Sequence, residues 1–201
     1  DAAHNVFVGG CTWGALPGQS HGGRDDTYVA KLDVDGDLLW TRQLGGTSDD
    51  CAVSIATSPD GSVSITGATY GDLPGETSLG QTDMFIIQYD TDGDLLRSNH
   101  IGTTEWEEAA AIVSDASGNL YIAGLTDRVD PGFVTHALVE KYASDGALLW
   151  SRTFGVEDLQ HATALGVDAA GNVYVGGNVV ETGTVGEPGT NLEDVFVATY
   201  D

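Results

Sequence analysis

Carboxylates supply most of the chemistry this chain could do. Asp33, Asp35 and Asp37 stand in the run DVDGD, and Asp90, Asp92 and Asp94 in DTDGD, while the related run ASDGA keeps only Asp145. Carboxylates spaced this closely repel one another unless water or a cation lies between them. A hard cation such as calcium takes six to eight oxygen ligands, which clustered Asp side chains and backbone carbonyls can provide. The pattern D-x-D-G-D is shorter than an EF-hand loop and lacks its closing Glu. The competing reading is an Asp-initiated turn with Gly in the left-handed region. A second set is aromatic. Trp13 in TWGALPG matches Tyr70 in TYGDLPG, and flat rings beside polar groups stack on sugars or anchor peptides as readily as they pack inside a fold. A third set is acidic: Asp49-Asp50 and Glu107-Glu108. Cys51, Glu108 and His161 fall at equivalent places, and would bind metal or exchange protons only if the copies converged. No residue is nominated as catalytic.

These residues are positioned by a repeat. Gly36, Gly93 and Gly146 sit in turns followed by a Leu-Leu pair, and Gly61, Gly118 and Gly171 each precede a strand-like run. The opening stretch through Gly10 is a further copy of the second motif. A spacing of ~55 residues is the mark of a solenoid, array or propeller. The copies span approximately residues 1–50, 51–106, 107–159 and 160–201.

Each full copy divides into four short strands rich in β-branched and aromatic residues. In the second copy these are A (Ala52–Ala56), B (Ser62–Gly67), C (Met84–Tyr89) and D (Leu95–Asn99). The first copy has no A and the last no D. Turns of the Asp-Gly kind join A to B and C to D as hairpins, and longer connections, 71–82, 126–135 and 178–193, join B to C. The expected fold is therefore all-β: a β-propeller of four-stranded antiparallel blades, about four repeats with incomplete first and last blades, forming a single domain or arc. Antiparallel geometry puts the B–C and D–A loops, with Trp13, Tyr70, Asp49, Asp50, Glu107 and Glu108, on one face. That is the expected ligand-binding face. Cys11 ends strand B of the first copy and Cys51 begins strand A of the next, so a disulfide between neighbouring repeats is geometrically open, with two free thiols as the alternative. Trp40 and Trp150, replaced by Arg97 in the middle copy, read as residues docking one blade on the next.

The residues DTYVAKLDVDGDLLWTRQLGG, followed by DDCAVSIATSPDGSVSITG, resemble the bacterial and archaeal SBBP (seven-bladed β-propeller) repeat family, and the likeness runs along essentially the whole chain. The resemblance implies a secreted or surface-attached protein and carries no shared catalytic set.

The charge narrows the partners. With 31 acidic residues against 7 Lys plus Arg, the formal net charge is −24. Nucleic acid, whose phosphates need a basic patch, is excluded as an expected partner. Cations, cationic partners or a salty exterior suit the acidity. No apolar run is long enough to span a membrane. The leading expectation is an extracellular or cell-surface binding or scaffold module that recognises protein or glycan, with calcium as the one cofactor in view. Two alternatives stand beside it. One is a polysaccharide-acting hydrolase or lyase with paired carboxylates at an axial opening. The other is a structural subunit of a surface or filament assembly, self-associating or taking missing strands from a partner through open blade edges.

Overall fold

The computed structural model describes residues 1–128, 134–154, 159–180 and 193–200. Among them there is no helix, so none is long and apolar enough to cross a membrane. The strands are β1 (Val6–Thr12), β2 (Asp26–Leu32), β3 (Leu38–Leu44), β4 (Asp50–Thr57), β5 (Val63–Thr69), β6 (Asp83–Tyr89), β7 (Leu95–Ile101), β8 (Glu107–Ser114), β9 (Leu120–Arg128), β10 (Val134–Tyr142), β11 (Leu148–Phe154), β12 (Leu159–Val167), β13 (Val173–Val180) and β14 (Glu193–Tyr200). They form four antiparallel sheets in sequence order: β1-β2-β3, β4-β5-β6-β7, β8-β9-β10-β11 and β12-β13-β14. Parts of the expected connections 126–135 and 178–193 lie outside the described residues.

Local chemistry makes the hairpins. Asp33 Oδ1 accepts the backbone N–H groups of Asp35 and Asp37, each at 2.9 Å. Asp90 does the same for Asp92 and Asp94, Asp115 for Ser117 and Asn119, and Asp168 for Ala170 and Asn172. Each of these turns places a glycine at positive φ, from 80° at Gly118 to 90° at Gly171. In the opening copy His4 takes that left-handed place at φ 62°, and Asp1 caps the turn.

A second repeated device lies in the strand pairing. The register shifts between Ala52 and Ser54, between Ala109 and Ala111, and between Ala162 and Ala164, so Val53, Ala110 and Thr163 bulge. The facing residue is Gly67, Gly124 or Gly177. A Cβ there would stand 1.9–2.0 Å from the carbonyl oxygen of Cys51, Glu108 or His161. Glycine is what lets the bulged backbone close in.

Each sheet packs on the next. β4 lies against β1 and β2, β8 against β4, β5 and β6, and β12 against β8, β9 and β10. Three apolar cores fill the interfaces, centred on Ile65, Phe85 and Ile87; on Met84, Ile112 and Ile122; and on Tyr121, Val139 and Val175. Trp40 packs between Phe7 and Tyr89, and Trp150 between Tyr121 and Tyr200. Trp40 Nε1 also donates to the Thr91 carbonyl at 3.1 Å, where Lys31 Nζ arrives at 2.9 Å, and Arg42 reaches the carbonyls of Asp92 and Gly93. The Trp residues thus dock one sheet on the next. The outer faces of the end sheets expose Val6 and Val8 on β1 and Val195 and Val197 on β14.

Cys11 of β1 and Cys51 of β4 are joined as a disulfide across the first interface, 40 residues apart in sequence. In the chain-entropy account a link of that span stabilises by about 4 kcal/mol.

The bulge sets a testable contrast. Gly67→Ala should destabilise by about 1–3 kcal/mol in urea unfolding, because only backbone movement can make room. Gly10→Ala should cost less, since its Cβ would meet the Tyr28 ring at 3.2 Å and no backbone atom more closely.

Candidate functional site

At the end of the sheets where the longer loops gather, four acids stand at or next to strand starts with at most 1% exposure: Asp26, Asp50, Asp83 and Glu107. A buried carboxylate is tolerated only when donors surround it. Asp26 accepts the N–H groups of Gly22 (2.9 Å) and Gly23 (3.2 Å) and the Gln43 amide (2.9 Å), with His21 Nδ1 at 3.1 Å. Asp83 accepts from Leu79 N (2.7 Å), Gly80 N (3.3 Å) and Ser78 Oγ (3.0 Å). Asp50 takes the Gly46 N–H at 2.6 Å. Glu107 takes Thr103 N (3.0 Å) and the hydroxyls of Thr103 (2.6 Å) and Thr126 (3.1 Å). Each acid therefore holds one loop by its backbone. Gly45 and Gly102 let the chain pass close above them: a Cβ on Gly102 would stand 2.5 Å from Asp83 Oδ1.

The arrangement repeats with a change of side chain. Gln43 Oε1 accepts the Leu16 N–H at 2.8 Å while its amide donates to Asp26. One repeat later His100 Nε2 accepts the Leu73 N–H at 3.2 Å, and its Nδ1 faces Asp83 Oδ2 at 3.4 Å. An Nε2 that accepts carries no proton, so the neutral His100 is protonated on Nδ1. Gln and His serve alike because each offers an acceptor and a donor at similar reach.

Charge is distributed unevenly among these acids. Burial is the largest influence on Asp26 and pushes its carboxyl up. The bonds from Gly22, Gln43 and Gly23, together with His21, outweigh it and hold the group below its ordinary range. In Asp50 burial prevails over the influence of the nearby Thr69 hydroxyl and of the Gly46 N–H, and the Asp26 charge adds to it, so that carboxyl is raised.

Asp50 and Glu107 were expected on the exposed face, and the structure corrects this: both are inside, clamping loops. The residues that do reach solvent together belong to the second repeat. Tyr70 is 51% exposed and Trp106 39%. The Tyr70 N–H donates to the Asp49 carbonyl at 3.1 Å, and Trp106 Nε1 donates to Glu108 Oε1 at 3.0 Å. Burial first, then the charges of Glu108 and Asp49, raise the Tyr70 hydroxyl pKa. Asp49 Oδ2 lies 3.5 Å from exposed Arg24, and its Oδ1 has no partner among the described residues. Trp13, 79% exposed, lies on the same face in the first repeat. Trp106 was not singled out in the sequence, although a Trp directly before Glu107-Glu108 was the available signal.

The Asp-rich turns are elsewhere. Asp33 and Asp90 spend a carboxylate oxygen on their own turns, and Asp35, Asp37, Asp92 and Asp94 point into solvent. Among the described residues no three His, Cys, Asp or Glu side chains converge as a metal-holding group. The geometry is that of the Asp-initiated turn. Cys51, Glu108 and His161 do not converge either: Cys51 is in the disulfide and Glu108 is held by Trp106.

No family model matches the chain. It is similar to Regulatory protein FlaEY of Caulobacter vibrioides, 29% identical over 188 residues, which cover 84% of this chain. The chain spans 19% of that protein's length.

The Asp26 cradle predicts a pH signature. Asp26→Asn should cost about 1–3 kcal/mol at pH 7, more than Asp50→Asn, whose carboxyl is already disfavoured when charged. Because the folded-state pKa of Asp26 lies below the unfolded value of about 3.9, its contribution is complete above that pH. It is lost as pH falls through the folded value. Urea unfolding across pH 7 to 2.5 should show the gap between wild type and Asp26→Asn closing below about pH 4.

Proposed function

We propose that the chain is a β-propeller segment of the SBBP kind. It serves as an extracellular or cell-surface binding module whose loop face takes a cationic segment of a protein partner. The propeller reading is supported by the stacking of the first strands of successive sheets, β4 on β8 and β8 on β12, as sheets fanned about an axis require. The disulfide supports an oxidising compartment.

The observation that carries the binding reading is the exposed pair Tyr70 and Trp106 flanked by the acids Asp49 and Glu108. Aromatic rings give contact area at low entropic cost and attract cations through their faces. The adjacent carboxylates add charge attraction, and the net charge of −24 steers basic partners inward. The buried acids keep the loops in place beforehand, which lowers the ordering cost of binding. The relative's name, a regulatory protein, accords with work done by binding.

The test is to probe wild type, Glu108→Lys and Tyr70→Ala on an array of Lys- and Arg-bearing peptides, their acidic counterparts and glycans. Basic peptides should be retained, about tenfold less by Glu108→Lys, and less as salt rises through the Debye range. Retention of glycans without basic peptides would replace the cationic partner with a carbohydrate. Retention of nothing would remove the binding face.

A second reading, a subunit of a larger assembly, is favoured by the exposed valines on the outer faces of β1 and β14. A further sheet of the same kind would cover them. Light scattering should then show association that is lost in Val195→Lys/Val197→Lys, and a strictly monomeric wild type would refute it.

A further inference from the structure

The interface between the second and third sheets is incompletely filled. A cavity of about 330 Å³ opens there, enough for about ten water-sized groups. Its apolar wall includes Met84, Ile101 and Leu138, and its mouth lies beside exposed Leu148 and Ser151.

An acid stands in its wall where the repeat calls for a hydrocarbon. On β10 the residues Leu138, Glu140 and Tyr142 share the face turned to the preceding sheet. Their counterparts are Phe85, Ile87 and Tyr89 on β6 and Phe196, Ala198 and Tyr200 on β14. Ile87 is fully buried core, and Glu140 in its place is only 8% exposed. Tyr142 donates its hydroxyl to Glu140 Oε2. Burial and the Glu140 charge together keep that phenol protonated far beyond neutral pH. Among the described residues no Lys or Arg lines the cavity.

The facing sheet explains the space. Trp40 covers Tyr89 and Trp150 covers Tyr200, but Arg97 holds that place before Tyr142. Arg97 lies against the Gly146 turn, where a Cβ would stand 2.5 Å from its Nη1. It forms no ion pair with Glu140 among the described residues. A buried carboxylate without a cation is costly in a core position.

We propose that this cavity is a binding site for a small alkylammonium ion. The ammonium pairs with Glu140, and the short chain lies along Met84, Ile101 and Leu138. The size falls at the low end for small-molecule pockets, and an apolar wall with a few polar groups, here Glu140 together with Glu107 and His100, is what such sites use for orientation. The cavity shares Glu107, Thr103 and His100 with the clamps beneath the loop face, but neither Tyr70 nor Glu108 lines it, and the proposal does not rest on that face binding a partner.

Met84 is the chain's one methionine, so ¹³C-methyl-methionine labelling gives a single resonance from the cavity wall. Titrating n-hexylammonium at pH 7 should shift that resonance saturably, and n-hexanol at the same concentrations should not. Glu140→Gln, which keeps the shape and can still accept from Tyr142, should weaken n-hexylammonium at least tenfold. Glu140→Ile should abolish it. An unmoved Met84 resonance, an equal response to hexanol, or unchanged binding by Glu140→Gln would overturn the proposal. Glu108→Lys should leave the titration unchanged, so failure here and failure of the loop-face reading are told apart.

Discussion

A carboxylate buried near the start of a strand, answered by the backbone N–H groups of the loop before it, is the interaction on which the loop face depends. Loops are ordinarily the least ordered part of a sheet protein because their backbone groups turn to water. Here Asp26, Asp50, Asp83 and Glu107 draw those groups inward. Charge-assisted bonds are stronger than neutral ones, and removing one partner would leave the other buried and unanswered. The same requirement forces glycine into the neighbouring loops, since Gly45, Gly46 and Gly102 pass where a side chain would strike a carboxylate or a carbonyl. Sequence, loop path and exposed surface are thereby tied together. The exposed aromatics are held where they are because the acids beneath them are not exposed.

The strand pattern was legible because it rests on short-range chemistry. Asp-Gly turns followed by Leu-Leu, and glycines before β-branched runs, mark hairpins locally, and the observed strands β1 to β14 follow them. The acids were harder to place. Asp49 and Asp50 are neighbours in sequence, yet Asp50 is fully buried while Asp49 meets Arg24 at the surface. Successive residues of a strand point to opposite sides, so one acid of each pair turns inward, and which one depends on where the strand begins. Asp26 and Asp83 escaped notice because a single acid before an apolar run looks like a solvated turn. Their role exists only once loop N–H groups have folded over them.

The Asp-rich turns teach the opposite lesson. Three acids in DVDGD suggested a shared cation, but one of them caps its own turn and the others project away. Spacing along a chain shows which groups are near in sequence. It does not show that their oxygens converge, and ligand geometry requires convergence.

Divergence between the copies then separates scaffold from surface. Asp26, Gln43 and Asp50 recur as Asp83, His100 and Glu107, which preserve an acid, a donor–acceptor and an acid in the same bonding pattern. The third copy has His136, Thr153 and Gln160 at those places. None of these three is an acid, although the bulge opposite Gly124 and the Asp115 turn are unchanged. The strand framework is thus common to the copies, while among the described residues the acid-clamped loops are those held by Asp26, Asp50, Asp83 and Glu107. Tyr70, Trp106, Asp49 and Glu108 all sit on that clamped part. The surface we propose as a binding face thus rests on loops whose backbone is already held by the bonds beneath it, which lowers the ordering cost of meeting a partner.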